Sequence, residues 1–252
     1  EAIELDVLVV GAGPAGLASA IKLAQANPEL AIGVLEKAGA LGEHSLSGAV
    51  VNPSAFRALF PNLKDADFPF RQPVGGEAVY YLTEGGATKL PTPPTMKNHG
   101  NFVISLSEAV RWLGEQAEAL GINIFPGFPA ESLLVDGNRV IGVRTTPGGL
   151  DRDGQPTDVY QETTDLTARV VVLAEGSRGP LAQAWRDWQH VGSPNPQIFA
   201  LGVKEVWEVT KPLDRVIHTL GWPLPSNAFG GSWCYPMGPN QVSIGLVVGL
   251  DY

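Results

Sequence analysis

Residues 6–20 read Asp-Val-Leu-Val-Val-Gly-Ala-Gly-Pro-Ala-Gly-Leu-Ala-Ser-Ala. The apolar run predicts a strand that enters a glycine-rich turn, and the residues after the turn predict a helix. Gly11 allows the tight turn, Gly13 lets the backbone approach a pyrophosphate, and Gly16 lets the helix pack closely on the strand. The amides and dipole of the helix N-terminus favour negative charge. This stretch predicts a dinucleotide-binding site. Its predicted cofactor contacts are Gly11, Gly13, Pro14, Ala15 and Gly16.

The second predicted strand supports the same interpretation. The apolar run 31–35 ends in Glu36, twenty positions after Gly16. A carboxylate at this place accepts hydrogen bonds from ribose hydroxyls and disfavours the 2′-phosphate of NADP. We predict Glu36 and the following Lys37 as further cofactor-binding residues, and this stretch leaves FAD and NAD both open.

A later strand favours a flavin. Residues 166–173 form a buried-strand run that leads into Ala174-Glu175-Gly176. Two-dinucleotide-fold flavoproteins carry such a strand, which returns to the sheet beside the first strand, although this segment alone also fits an ordinary core strand followed by a turn. Upstream, residues 131–135 and 140–145 predict a hairpin around Asp136-Gly137. Flavin-binding folds insert such a β-meander, which nicotinamide dehydrogenases usually lack. We therefore predict Glu175 and Gly176 as cofactor contacts.

Composition excludes several classes of function. The 252 residues carry 17 basic and 26 acidic side chains, and a formal charge of −9 disfavours binding to nucleic acid. The single cysteine, Cys234, excludes an internal disulfide and a complete cysteine-ligated cluster within these residues. No apolar run reaches the roughly 18 residues that span a bilayer, and no signal segment precedes the first strand. The four histidines are scattered without metal-ligand spacing, and we predict no catalytic acid or base and no metal ligand.

Several further stretches resemble one family, electron-transfer-flavoprotein:ubiquinone oxidoreductase. They include Gly42-Glu-His-Ser-Leu-Ser-Gly48, Asn98-His-Gly-Asn101, His218-Thr-Leu-Gly-Trp-Pro223, Gly230-Gly-Ser232 and Gly245-Leu-Val-Val-Gly-Leu-Asp-Tyr252. The resemblance runs along nearly the whole chain. It implies FAD on a first domain, ubiquinone as the acceptor in a second domain, and a [4Fe–4S] cluster bound by four cysteines in a C-terminal portion that is absent from these residues.

The resemblance also implies a fold and its domains. We expect an α/β fold: a Rossmann-like FAD-binding domain of the glutathione-reductase/hydroxybenzoate-hydroxylase type, with an inserted β-meander, and a partial second β-sheet domain. The FAD-binding domain is expected at 1–68 and 98–180. The quinone-binding, β-rich domain is expected at 69–97 and 181–252, and is incomplete.

Further site residues follow from the resemblance. Gly230 and Gly231 fall where the family offers backbone contacts to the quinone head group, although alone they predict a glycine bend at a strand start. The loop after Glu36 is placed to pass over the flavin, so Ser47 and Gly48 are predicted cofactor contacts. The family usually has a basic residue where this chain has Ser105, which leaves that contact open.

The same comparison predicts a membrane contact within residues 42–63. Phe56, Leu59, Phe60 and Leu63 lie at i, i+3, i+4 and i+7 of a short predicted helix and form one apolar face, of which Phe56, Leu59 and Phe60 are the predicted membrane contacts. Packing inside the protein explains this face equally well. A long-tailed quinone is itself membrane-bound, so we expect a peripheral, monotopic attachment to the bacterial cytoplasmic membrane or the mitochondrial inner membrane.

The expected function is that of an electron-transferring-flavoprotein dehydrogenase. Such an enzyme passes electrons from reduced electron-transfer flavoprotein through FAD to membrane ubiquinone. The first alternative is a geranylgeranyl-reductase-like or hydroxylase-like flavoenzyme on the same fold. It is kept because the segment Ser232-Trp-Cys-Tyr-Pro236 also resembles geranylgeranyl reductases. The second, of another class, is an FAD-binding fragment without turnover.

Overall fold

The computed structural model describes residues 3–46 and 48–251. The chain forms two compact units, the first made of Glu1–Ser45 with Ser107–Ser193 and the second of Leu46–Leu106 with Pro194–Tyr252.

The helices are α1 (Pro14–Ala26), α2 (Ser54–Leu59), α3 (Leu106–Ala119) and α4 (Pro180–Trp188). The strands are β1 (Ile3–Val10), β2 (Ile32–Glu36), β3 (Gly48–Val51), β4 (Phe70–Pro73), β5 (Glu77–Thr83), β6 (Gly86–Leu90), β7 (Phe102–Ser105), β8 (Asn123–Pro126), β9 (Ala130–Asp136), β10 (Arg139–Thr145), β11 (Gly148–Leu150), β12 (Pro156–Gln161), β13 (Asp165–Leu173), β14 (Ala200–Glu208), β15 (Val216–Gly221), β16 (Gly230–Pro236) and β17 (Gln241–Gly249).

The first unit is built on a six-stranded sheet in the order β8-β2-β1-β13-β10-β9. Strand β1 pairs in parallel with β2 on one side and with β13 on the other, and β2 pairs in parallel with β8. Residues 7–10 of β1 and 32–35 of β2 are buried at consecutive positions, so both faces of the sheet are covered there. Leu8, Leu35 and Val143 belong to one core cluster on this sheet.

The predicted strand–turn–helix–strand unit and the β-meander are present in this sheet. Helix α1 connects β1 to β2, and β9 and β10 form the antiparallel hairpin that joins the sheet beside β13. This confirms the predicted α/β fold with a Rossmann-like first domain. Strands β11 and β12 form a separate two-stranded sheet between β10 and β13 in the chain.

The second unit contains two sheets. The larger has the order β14-β17-β16-β15-β5-β6, and the smaller has the order β3-β7-β4. All pairs of the larger sheet are antiparallel except β15 with β5. Buried Val74, Val103, Val216 and Met237 form a core cluster of this unit.

The borders of the two units differ from the boundaries expected from the sequence, which were 68/69, 97/98 and 180/181. Strand β3 pairs antiparallel with β7, so residues 46–68 and 98–106 fall in the second unit. Leu181 of α4 packs in the core of the first unit, which keeps α4 there. The assignment of the two units to FAD and quinone remains a prediction.

Candidate functional site

Two glycines of the turn after β1 stand where a side chain does not fit. Gly11 has a φ of +104°, and a Cβ on it would lie 2.6 Å from the carbonyl oxygen of Ala174. A Cβ on Gly16 would lie 1.9 Å from the carbonyl oxygen of Gly11. Both obstacles are backbone atoms, which cannot rotate aside as a side chain can. The turn therefore keeps β1, α1 and the end of β13 close together.

Gly13 differs, because the space beside it is open. It precedes α1 in an extended conformation, with φ −75° and ψ 179°, and a Cβ on it would have no protein neighbour within 4 Å. The N–H groups in the first turn of a helix have no intrahelical acceptor. Pro14 and Ala15 at this end are exposed, and no acidic residue lies in the first turn. Open space, orphan amides and the positive end of a helix dipole fit a pyrophosphate.

The carboxylate of Glu36 lies at the end of β2, next to this turn. Its Oε2 accepts the N–H of Ala12 at 3.0 Å, and its Oε1 accepts the N–H of Ala38 at 2.8 Å. An ionised carboxylate has about four acceptor positions, so two stay available for ribose hydroxyls. Glu36 therefore also braces the glycine turn, a role that the sequence pattern did not indicate. The neighbouring Lys37 is exposed.

Glu175 and Gly176 follow β13 and meet the start of α4. The carboxylate of Glu175 accepts the N–H of Leu181 at 3.3 Å and the N–H of Ala182 at 2.8 Å. It thus satisfies two amides at the N-terminus of α4 and complements the helix dipole. Gly176 is exposed with a φ of +85°, and a Cβ on it would have no neighbour within 4 Å. The contact of Glu175 with a cofactor remains a prediction.

The role of Glu175 leads to a stability prediction. We expect Glu175→Ala to lower the free energy of unfolding by about 1 kcal/mol, because two amides of α4 lose their acceptor. Thermal unfolding followed by circular dichroism measures the change. The matched control is Glu162→Ala, in an exposed loop of the same unit. An equal midpoint for both variants would contradict the capping role.

The structure brings nine of the eleven predicted cofactor residues to one edge of the first unit. Strands β1, β2 and β13 are parallel, and ligands of such sheets bind outside the carboxyl ends of the strands. The residues at this edge are Gly11, Gly13, Pro14, Ala15, Gly16, Glu36, Lys37, Glu175 and Gly176. Ser47 lies outside the described residues, and Gly48 begins β3 in the second unit, as Ser105 ends β7 there.

Gly230 and Gly231 open β16 in the second unit, and the sheet itself requires glycine at both. Their φ angles are +150° and +154°. A Cβ on Gly230 would lie 2.1 Å from the carbonyl oxygen of Val247, and one on Gly231 would lie 2.2 Å from that of Thr219. The strand thus presents bare backbone here, over which a flat ring can lie. This packing accounts for the two glycines whether or not a quinone binds.

Of the three residues predicted to touch a membrane, Phe56 packs against aromatic rings of the second unit. Phe56 in α2 is half-buried and lies edge-on to Phe68 and Phe70, with ring centroids 5.6 and 5.3 Å away. Leu59 and Phe60 are half-buried as well. Phe56 therefore serves packing, and the membrane contact of the three residues stays a prediction.

No metal centre is found in the part of the chain that the structure describes: it holds no group of three His, Cys, Asp or Glu side chains able to bind an ion. Cys234 is half-buried in β16, and burial raises the pKa of its thiol. The thiol therefore stays protonated near neutral pH.

Within 3–46 and 48–251, no helix is long and apolar enough to cross a bilayer.

Sequence comparison finds relatives along the whole chain. The chain is 43% identical over 263 residues to the mitochondrial electron transfer flavoprotein-ubiquinone oxidoreductase of Oryza sativa subsp. japonica, covering 100% of this chain and 45% of the relative. Identity to the Pseudomonas aeruginosa protein of the same name is 41%, with coverages of 100% and 48%, and to the Homo sapiens protein 40%, with coverages of 99% and 42%. This chain thus spans less than half the length of these relatives.

Two family models match separate stretches of the chain, and solved structures match nearly all of it. A family model described as "ETF-QO, ubiquinone-binding" matches residues 199–252, and one described as "Thi4 family" matches residues 1–56. A geranylgeranyl bacteriochlorophyll reductase-like protein of Thermoplasma acidophilum has a TM-score of 0.71 at 21% identity, covering 99% of this chain and 57% of its own. The flavin-dependent brominase Bmp2 has a TM-score of 0.66 at 16% identity, with coverages of 98% and 56%. At these identities the likeness shows the fold alone.

Proposed function

We propose a function from the premise that this chain belongs to the electron transfer flavoprotein-ubiquinone oxidoreductase family and matches a region of its members. The proposed function is that of an FAD-dependent oxidoreductase, which passes electrons from reduced electron transfer flavoprotein to ubiquinone. The observation that carries it is the similarity of about 40% identity along the whole chain. The solved geranylgeranyl bacteriochlorophyll reductase-like protein, at 21% identity, shares the fold alone and therefore carries no argument for the first alternative.

The first unit has the features that FAD binding requires. The open space at Gly13 and the amides of α1 would hold the pyrophosphate, and the free acceptor positions of Glu36 would hold the adenosine ribose. Bound FAD supplies reversible storage of electrons. Ser47, Gly48, Glu175 and Gly176 remain proposed contacts of the same cofactor.

Glu36 provides a direct test of the cofactor site. We expect Glu36→Gln to raise the dissociation constant for FAD at least tenfold, because charge-assisted hydrogen bonds contribute roughly 1.5–3 kcal/mol each. Titration of the apo chain with FAD, followed by flavin fluorescence, gives the constant. Glu29→Gln, at an exposed position after α1, is the matched control and should bind FAD as the unaltered chain does. Equal affinity of the two variants would remove Glu36 from the site.

The second unit is proposed to hold the quinone and to contact a membrane. Gly230 and Gly231 offer backbone to the head group, and exposed apolar side chains gather at the same end of the sheet. Among these are Ile198, Trp222, Phe229 and Leu250, which are 62%, 54%, 68% and 62% exposed. The segments 194–203 and 219–235 contain no charged residue. A neutral apolar surface suits an interfacial contact, and a net charge of −9 argues against attachment through anionic lipids.

Electron entry needs more than this region. The family resemblance assigns a [4Fe–4S] cluster to four cysteines, and this chain has one. A cluster with four thiolate ligands therefore requires residues beyond these 252. We propose that this region contributes the flavin and quinone steps, and that electron transfer flavoprotein delivers electrons to the whole protein.

The proposed function is tested by anaerobic reoxidation. The FAD-loaded chain is reduced with dithionite, excess reductant is removed, and a short-chain ubiquinone is added while the visible spectrum is recorded. We expect the flavin bands to bleach on reduction and to return on addition of the quinone. A chain that stays reduced with quinone, yet is reoxidised by ferricyanide, would contradict quinone reduction by this region.

A further inference from the structure

A half-buried histidine–tyrosine pair lies in the larger sheet of the second unit. His218 is on β15 and Tyr235 on β16, with 2.7 Å between His218 Nε2 and the tyrosine hydroxyl oxygen and an edge-on ring arrangement. The other ring nitrogen, Nδ1, is buried and has no hydrogen-bond partner among the described residues. A buried polar atom without a partner costs about 1–3 kcal/mol, so a bound partner is expected there.

The strand register places this pair close to the glycines at the start of β16. His218 is opposite Trp233, so Gly231 is its diagonal neighbour on the same face of the sheet. Such neighbours are about 7–8 Å apart, within reach of a long side chain. The Trp233 ring leans the other way, over Gly245, where a Cβ would lie 2.1 Å from its Cη2. The Trp233 ring therefore does not lie over Gly231, whose Cβ position has Leu220 Cδ2 of β15 as its nearest side-chain atom, 3.5 Å away.

Side-chain exposure increases along β15 from Val216 to Leu220, towards the end of the sheet that carries the two glycines. Val216 is fully buried, His218 is half-buried, and Leu220 is 41% exposed. His218 thus stands between the core of the unit and the open end of the sheet that carries Gly230 and Gly231. Leu220 and Leu224 border these glycines, which makes the surroundings apolar.

The chemistry of the pair fits an uncharged ligand. Burial lowers the pKa of His218, opposed by the weaker effect of the Glu77 charge, and burial raises the pKa of Tyr235. Both groups are therefore neutral near pH 7. When the tyrosine hydroxyl donates to Nε2, Nδ1 carries the imidazole proton and is a donor; when Nε2 donates to the hydroxyl oxygen, Nδ1 is an acceptor.

We propose that His218 Nδ1 makes the polar contact to the quinone head group lying over Gly230 and Gly231, and that Tyr235 is the positioning residue that fixes the tautomer. A quinone has only acceptors at its carbonyl oxygens, and a hydroquinone has hydroxyl donors. The pair matches both, because the hydrogen bond between His218 and Tyr235 can run in either direction. This inference rests on the proposed function and assigns a residue to its quinone site.

The test is binding of a short-chain ubiquinone to the whole chain, measured by isothermal titration calorimetry. We expect His218→Phe, which keeps a ring but removes both nitrogens, to weaken binding about fivefold to tenfold, as for one neutral hydrogen bond. His218→Gln keeps a donor and an acceptor and should lose less affinity. Tyr235→Phe should weaken binding without altering the surface that the quinone touches. Cys234→Ala, at the same level of β16 on the opposite face, is the control and should bind normally.

The outcomes separate the two claims. If the unaltered chain binds no quinone, the proposed function is overturned and the inference with it. If the unaltered chain binds quinone and both His218 variants bind equally well, only the role of His218 is overturned. Where His218→Phe lowers the thermal midpoint, His218→Gln and Tyr235→Phe decide the matter, since a purely structural role predicts no graded loss of affinity among folded variants.

Discussion

Gly16→Ala is expected to destabilise the chain by about 3 kcal/mol and to abolish retention of FAD. The added methyl would lie 1.9 Å from the carbonyl oxygen of Gly11 and 3.1 Å from Cγ1 of Val9. Since the nearer obstacle is backbone, α1 must move away from β1, and the turn that presents the amides moves with it. Thermal unfolding gives the loss of stability, and the flavin absorbance of the purified variant gives the loss of cofactor.

Gly13→Ala is the matched control for this substitution. Its Cβ meets no protein atom within 4 Å, and its φ and ψ suit alanine, so we expect the thermal midpoint to stay close to that of the unaltered chain. The methyl nevertheless occupies the space proposed for the pyrophosphate, and FAD affinity should fall. The account fails if Gly16→Ala unfolds at the unaltered midpoint, or if Gly13→Ala binds FAD with unaltered affinity.

Gly231→Ala is expected to have a comparable effect on the second unit, a loss of about 3 kcal/mol together with loss of quinone binding. Its Cβ would lie 2.2 Å from the carbonyl oxygen of Thr219, and a φ of +154° is strained for alanine. Strands β15 and β16 would have to separate at the end where the quinone is proposed to bind. Thermal unfolding and quinone calorimetry measure the two losses.

Gly202→Ala separates this effect from a general cost of alanine in the same sheet. Gly202 is on β14, and a Cβ there would lie 3.6 Å from Cγ2 of Val247, an ordinary contact. We expect its stability to be unchanged or slightly raised, because alanine restricts the unfolded chain more than glycine does. Equal destabilisation by the two substitutions would show that the close approach at Gly231 is not the cause.

The parts of the fold that sequence reasoning predicted are those that local patterns determine. The unit β1–turn–α1–β2 is set by apolar runs and glycine spacing within about thirty residues, and the hairpin of β9 and β10 by a tight turn between two short runs. Both are observed.

The parts that sequence reasoning missed depend on distant pairings. The pairing of β3 with β7 joins residues that are far apart in the chain, and no local pattern indicates it. It moves the border of the second unit from 68/69 to 45/46. The contact of His218 with Tyr235 likewise needs the register of β15 on β16.

The site shows the same division. Gly11, Gly13, Gly16 and Glu36 were predicted from spacing, and the structure gathers them at the carboxyl ends of the parallel strands. The capping of α4 by Glu175 was not predicted, although an acidic residue shortly before Pro180 is a possible signal of it. Phe56 packs against Phe68 and Phe70. The helical spacing of apolar residues fits such packing and a membrane contact equally well, so the sequence could not decide between them.

The flavin content of the purified chain tests the central claim most directly. The chain is purified, its visible spectrum is recorded before and after incubation with FAD, and the cofactor is released by heat and identified. We predict one FAD per chain, with the flavin bands of a bound cofactor. A chain that is folded by circular dichroism, yet remains colourless and takes up no FAD, would contradict the assignment of the turn from Gly11 to Gly16 to a flavin.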